Sequence, residues 1–220
     1  SQTTSDFLEN RDIPKRALWV RDKNLWQKHP SLLLTRIMSL GIGKVFIEIE
    51  VIKGEIFPTQ SVELEKFIKF AHQQDIYVWA TFKAGNLGFR PWQDVWAIQA
   101  EAVYNYNKSV RDEGKLDGTQ FDLKPHLIEG FDIENNDWQE LFLTGLSKLK
   151  SATRDVPLYL SLPSWFPGLG RDEYLAKRMP DFIDGLTVWS FQSVRLDINR
   201  VVNPFLSWGE RHNKPILIAF

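Results

Sequence analysis

Asp122 and Lys124 stand two residues apart in the stretch Leu116 to His126, Leu-Asp-Gly-Thr-Gln-Phe-Asp-Leu-Lys-Pro-His. In an extended chain the side chains alternate, so Gly118, Gln120, Asp122 and Lys124 share one face while Thr119, Phe121 and Leu123 share the other. A carboxylate and an ammonium on one face of an otherwise apolar strand are costly to remove from water, so they need partners or a ligand. Pro125 cannot donate to a strand ladder, which ends the strand and leaves both charges at its C-terminal edge. That edge is where parallel sheets and barrels hold ligands.

Other strands contribute to the same rim. Lys44-Val-Phe-Ile-Glu-Ile-Glu-Val51 alternates, with Val45, Ile47, Ile49 and Val51 on one face and Phe46, Glu48 and Glu50 on the other. Trp79, Thr81 and Lys83 end a third strand, Ile76 to Lys83, and Trp165, Trp189 and Gln192 end two later ones. The candidate catalytic set is Asp122, Lys124 and Glu48. The candidate binding set is Gln120, Glu50, Lys83, Trp79, Trp165, Trp189 and Gln192. Tryptophan offers a flat apolar face and one donor, which suits stacking on a sugar ring, and Trp92 adds another near this rim. Two plainer readings stand beside this one: an internal ion-pair network of Lys83 and Lys124 with Glu48 and Asp122, and aromatic core packing.

The elements that must position these groups alternate strand and helix. Strands are expected at Arg16 to Asp22, Lys44 to Val51, Ile76 to Lys83, the Leu116 stretch, Pro157 to Trp165, Gly185 to Gln192 and Lys214 to Phe220. Helices are expected over Asn24 to Leu40 (Leu33, Leu34, Ile37 and Met38 inward) and from Pro58 to about Gln74 (Val62, Leu64, Phe67, Ile68 and Ala71 inward). Others follow at about Trp92 to Arg111, Trp138 to Thr153, Asp172 to Arg178 and Asn199 to Arg211, the last bent at Pro204. No tandem hairpin and no short repeat is read. Alternation of this kind implies a parallel sheet with crossover helices. Charge on one strand face favours a (β/α)8-type TIM barrel over a doubly wound sheet. Seven strands are readable and the sequence stops in the seventh, so the barrel is expected to be incomplete, with open edges available for association.

The chain has 220 residues, a net charge of -1 and a pI of about 6.4, which fits one domain without a nucleic-acid footprint. No apolar run reaches membrane-spanning length, so no membrane insertion is expected. The sequence starts at Ser1 without Met, which fits either a removed secretion signal, hence an exported periplasmic or extracellular protein, or a trimmed start. There is no Cys, so disulfides and thiol chemistry are excluded. His29, His72, His126 and His212 show no metal-ligand spacing, and no metal or other cofactor is expected. Gly85-Asn-Leu-Gly88 lacks the context of a phosphate loop.

Asp117-Gly-Thr-Gln-Phe-Asp-Leu-Lys-Pro resembles the strand-four signature of chitinase-like glycoside hydrolases of family 18 and related bacterial barrels. There, Asp-Gly precedes Asp-x-Asp-x-Glu, or in looser relatives Asp-x-Glu-Pro, and the Glu is the general acid. Asp117, Gly118 and Asp122 match, Gln120 replaces one Asp, and Lys124 stands at the Glu position. Asp184-Gly-Leu-Thr-Val-Trp-Ser-Phe-Gln192 is similar to the strand with Met-x-Tyr-Asp, offering Trp189, Phe191 and Gln192. The resemblance implies a glycan ligand, with Asp122 as the residue that steers a substrate acetamido group. A lysine ammonium, which ordinarily titrates at about 10.4, does not replace a carboxylic acid near neutral pH. A glycan-binding barrel with impaired or lost hydrolysis is therefore the first expectation. An active hydrolase using Glu48 or Glu50 as acid is the second, and a Schiff-base lyase through Lys124 or Lys83 is the third.

Overall fold

The structure is a computed structural model that describes residues 16–56, 58–83, 89–124, 126, 128, 130–132, 137–164, 173–189 and 198–219. Among them, strands β1 (Ala17–Val20), β2 (Lys44–Glu48), β5 (Tyr77–Phe82), β6 (Gly118–Asp122), β7 (Leu158–Pro163), β8 (Gly185–Trp189) and β9 (Ile216–Ala219) form a seven-stranded sheet in the order β1-β2-β5-β6-β7-β8-β9. The helices are α1 (Lys23–Lys28), α2 (Pro30–Ser39), α3 (Pro58–Gln73), α4 (Phe89–Ser109), α5 (Asp137–Thr153), α6 (Glu173–Arg178) and α7 (Ile198–His212, with Pro204 inside it). This is the expected α/β architecture, a TIM-type sheet with seven strands among the described residues. It divides into two compact units, Ser1–Thr81 with Asn105–Gly118, and Phe82–Tyr104 with Thr119–Phe220.

In the first unit β1, β2 and β5 pair in parallel, with Trp19 level with Phe46 and Phe46 level with Trp79. Residues level in a parallel sheet point to the same side. Accordingly Trp19 and Phe46 stack at 4.6 Å and Phe46 and Trp79 lie 5.9 Å apart. The opposite side carries Val45, Ile47, Val78 and Ala80, all fully buried. On α3, Leu64, Phe67, Ile68 and Ala71 are likewise fully buried. Val62, expected inward, is 54% exposed, and Met38 on α2 is 49% exposed. The apolar stripe of each helix is narrower than the sequence suggested.

Two local departures have clear causes. The single helix expected over Asn24 to Leu40 is broken at His29, whose backbone is non-helical because Pro30 follows and opens α2. A hairpin not expected from the sequence follows β2, with β3 (Val51–Ile52) pairing antiparallel to β4 (Glu55–Ile56). Its loop is Lys53-Gly54, both at positive φ, +52° and +78°, the backbone that a two-residue hairpin turn requires.

In the second unit β6, β7, β8 and β9 are parallel, with Gln120 level with Tyr159, Asp122 with Ser161, Ser161 with Thr187, and Pro163 with Trp189. Leu158, Leu160, Leu162, Leu186 and Val188 are fully buried and lie on the side away from Gln120.

An Asp-Gly pair opens both β6 and β8, and the two are built alike. The Asp117 N–H donates to the Val78 carbonyl at 2.8 Å and its carboxylate accepts the Val78 N–H at 2.7 Å. The Asp184 N–H donates to the Leu158 carbonyl at 2.8 Å and its carboxylate accepts the Leu158 N–H at 2.8 Å. Each aspartate thus satisfies both peptide groups of one residue on the neighbouring strand, closing the first rung where the ladder begins. Each following glycine lies under a ring from that strand. A Cβ on Gly118 would come within 2.4 Å of Trp79, and one on Gly185 within 2.6 Å of Tyr159.

Candidate active site

The entry to β6 is fixed from α3 and α4. Asn107 brackets Leu116, its amide donating to the carbonyl and its oxygen accepting the N–H, both at 2.9 Å. The Tyr106 hydroxyl donates to the Gly114 carbonyl at 2.9 Å, and burial, with the nearby Glu65 charge, pushes its pKa up. His72, on α3, places Nε2 2.8 Å from the Asp117 carboxylate and Nδ1 2.8 Å from the Glu113 carbonyl. Both ring nitrogens face acceptors, so the doubly protonated imidazolium fits best. Burial alone would lower its pKa, but the hydrogen bond and charge of Asp117, with the Glu113 carbonyl, outweigh burial and the net shift is upward.

Stability contributed by protonated His72 is fully present below its unfolded value of about 6.5 and is lost as pH rises through the higher folded value. Urea midpoints measured from about pH 6 to about pH 9 are expected to fall for the wild type, and His72→Gln is expected to remove much of that fall. An unchanged pH dependence in His72→Gln would show that the contact contributes nothing. A cavity of about 300 Å³ opens beside this contact, lined by His72, Tyr77 and the acidic residues Asp75, Asp112, Glu113 and Asp117. Among the described residues no group of three or more His, Cys, Asp or Glu is arranged to hold a metal ion.

Asp122 is the last residue of β6, partly buried, and Lys124 follows two residues later, also partly buried. Two pairs lie on the Asp122 side of the second unit. Thr187 donates its hydroxyl proton to Gln120 Oε1 at 2.6 Å across the intervening strand, and the Trp189 indole N–H donates to Ser161 Oγ. Sequence reasoning missed Ser161 and Thr187. The signal available was the lone polar residue in Leu-Tyr-Leu-Ser-Leu-Pro and in Gly-Leu-Thr-Val-Trp, level with Asp122. Phe82, at the end of β5, stacks on Phe121 at 5.0 Å, and exposed Lys83 comes next in the chain. Among the described residues Lys124 makes neither a hydrogen bond nor an ion pair.

In the first unit Glu48 ends β2, partly buried, and its carbonyl accepts from the Trp26 indole at 3.2 Å. Glu50 lies beyond the strand, exposed, and its carboxylate meets the Lys23 ammonium at 3.1 Å. Trp79 is 4% exposed, its ring over Gly118 with the Lys44 ammonium 4.2 Å from its centre. That is a packed position in the middle of β5. Lys44, itself only 3% exposed, was not singled out from the sequence. Trp165, Gln192 and the side chain of Trp92 lie outside the described residues.

No protein-family profile and no curated protein matches the chain. Solved structures do match. A GH18 chitinase from Pseudoalteromonas aurantia is 13% identical with a TM-score of 0.60, over 93% of this chain and 80% of that one. The spore cortex-lytic enzyme SleL of Bacillus cereus is 14% identical with a TM-score of 0.54, over 92% of this chain and 49% of that one. An aldolase called QR15 is 9% identical with a TM-score of 0.57, over 94% of this chain and 78% of that one. The chain thus spans about half the length of the SleL enzyme. At these identities the likeness shows the fold alone. Among the described residues no helix is long and apolar enough to cross a membrane.

Proposed function

We propose that the chain is a glycoside-hydrolase-like barrel domain that binds an oligosaccharide or polysaccharide at the C-terminal ends of its strands, with hydrolysis lost or impaired because Lys124 occupies the place of the general acid. The observation that carries this reading is that Asp122 ends β6 and Lys124 follows two residues later. On this reading Asp122, which ends β6, is the steering carboxylate, and the residue two further on, where the reading needs an acid, is a lysine. Support comes from fold neighbours described as a GH18 chitinase and a chitinase from Bacteroides thetaiotaomicron. The tie between Trp189 and Ser161 also fixes the indole orientation at the end of β8, and an indole held there suits contact with a sugar ring.

The test is binding without turnover. Oligosaccharides of amino sugars and of neutral β-linked sugars are expected to bind, with no release of reducing ends. Reducing ends released by the wild type and lost in Glu48→Gln would support the alternative, an active hydrolase with a carboxylate from β2 as acid. Borohydride trapping with carbonyl substrates is expected to leave no adduct, and a trapped adduct on Lys124 or Lys83 would establish the Schiff-base alternative. Export, and association through open sheet edges, remain proposals of the same reading.

A further inference from the structure

We infer that the glycan bound at this site is acidic, with a carboxylate received by Lys124; the inference rests on the glycan-binding reading above. The polar groups on this side of the second unit are largely committed to one another. Gln120 Oε1 accepts from Thr187, and the Trp189 N–H is spent on Ser161. Lys124 differs. It is partly buried and, among the described residues, makes no hydrogen bond or ion pair, so no described residue takes up its three N–H donors and a ligand acceptor can. An ammonium offers no acceptor, so the ligand group that satisfies it must supply acceptors, and a carboxylate does so with opposite charge. A second cation, Lys83, follows Phe82, which stacks on Phe121, the residue before Asp122.

Non-specific attraction does not produce the same preference. The chain carries a net charge of -1, so a polyanion gains nothing from the overall field, and any preference for acid must be local. A carboxylate on a partly buried ammonium forms a charge-assisted hydrogen bond, whose loss is expected to weaken binding about ten- to a hundredfold.

An array carrying uronate-containing oligosaccharides of several linkages, each beside the neutral oligomer made by reducing its carboxyl groups, tests this. The acidic member of at least one pair is expected to bind about tenfold or more tightly than its neutral partner, and added salt should narrow the gap. Lys124→Met should abolish the preference while keeping the wild-type melting curve, and Lys124→Arg should restore part of it. Equal binding of acidic and neutral partners overturns the acidic assignment and leaves the glycan reading intact. So does a preference that survives in Lys124→Met. Absence of binding to every array member, acidic or neutral, and also to amino-sugar oligomers, overturns the glycan reading and this inference with it.

Discussion

Lys124→Glu is expected to release reducing sugar from some β-linked glycan that the wild type leaves intact, whereas Lys124→Met is expected to remain inert. The substitution puts a carboxyl group two residues beyond Asp122, where the strand edge has already brought one carboxylate. Two carboxyl groups in such proximity raise one another's pKa, and one of them is then protonated when the leaving oxygen needs a proton. General acid catalysis of this kind is worth about a hundred- to ten-thousandfold. Gln120 and Gln192 stand where the resembling family has carboxylates, so the lower part of that range is expected. Screening both variants against amino-sugar and neutral oligomers gives the readout, because a uronate carboxylate would meet the new carboxylate of Lys124→Glu with like charge. Inactivity of Lys124→Glu in a correctly folded protein that still binds the glycan would show that this site lacks more than its acid.

Gly118→Ala is expected to destabilise the protein by about 3 kcal/mol, the upper part of the range for overpacking a core. The new methyl would lie 2.4 to 2.5 Å from three atoms of the Trp79 ring. That ring has little room to retreat, because Phe46 lies beside it and the Lys44 ammonium over it, and it is 4% exposed. For a chain of this length the melting temperature should fall by about 6–12 °C. A fall of less than about 2 °C would show that Trp79 shifts freely and is not locked by its neighbours. Gly185→Ala, against Tyr159, tests the same arrangement in the other unit.

Much of the fold could be read directly from the chain, because alternation and helical spacing are local signals. The seven strands are recognisable, from Ala17-Leu-Trp-Val to Ile216-Leu-Ile-Ala, since short period-two or apolar runs between helical patterns have few other solutions. The β3–β4 hairpin was hidden because its turn is Lys-Gly, not the Asn-Gly or Asp-Gly that usually signals one. The site was legible only in part. Asp122 and Lys124 announce themselves as charges in an apolar strand. Thr187 meets Gln120 from 67 residues away and His72 meets Asp117 from 45 away, pairings that no local pattern encodes. Trp79 reads as a rim residue by spacing, yet the unfilled space above Gly118 draws it into packing, a tertiary effect that composition does not reveal.

The glycine-under-ring arrangement also constrains how this chain can diverge. A smaller residue at position 79 or 159 leaves a void, which costs stability but violates no contact. A Cβ at position 118 or 185 collides with the ring above it for as long as the ring is there. Substitution at the two positions of each pair is therefore coupled. Each change alone is costly, about 3 kcal/mol for a Cβ at the glycine and about 3–5 kcal/mol for a large-to-small change at the ring, so the two made together at 118 and 79 should cost less than their sum.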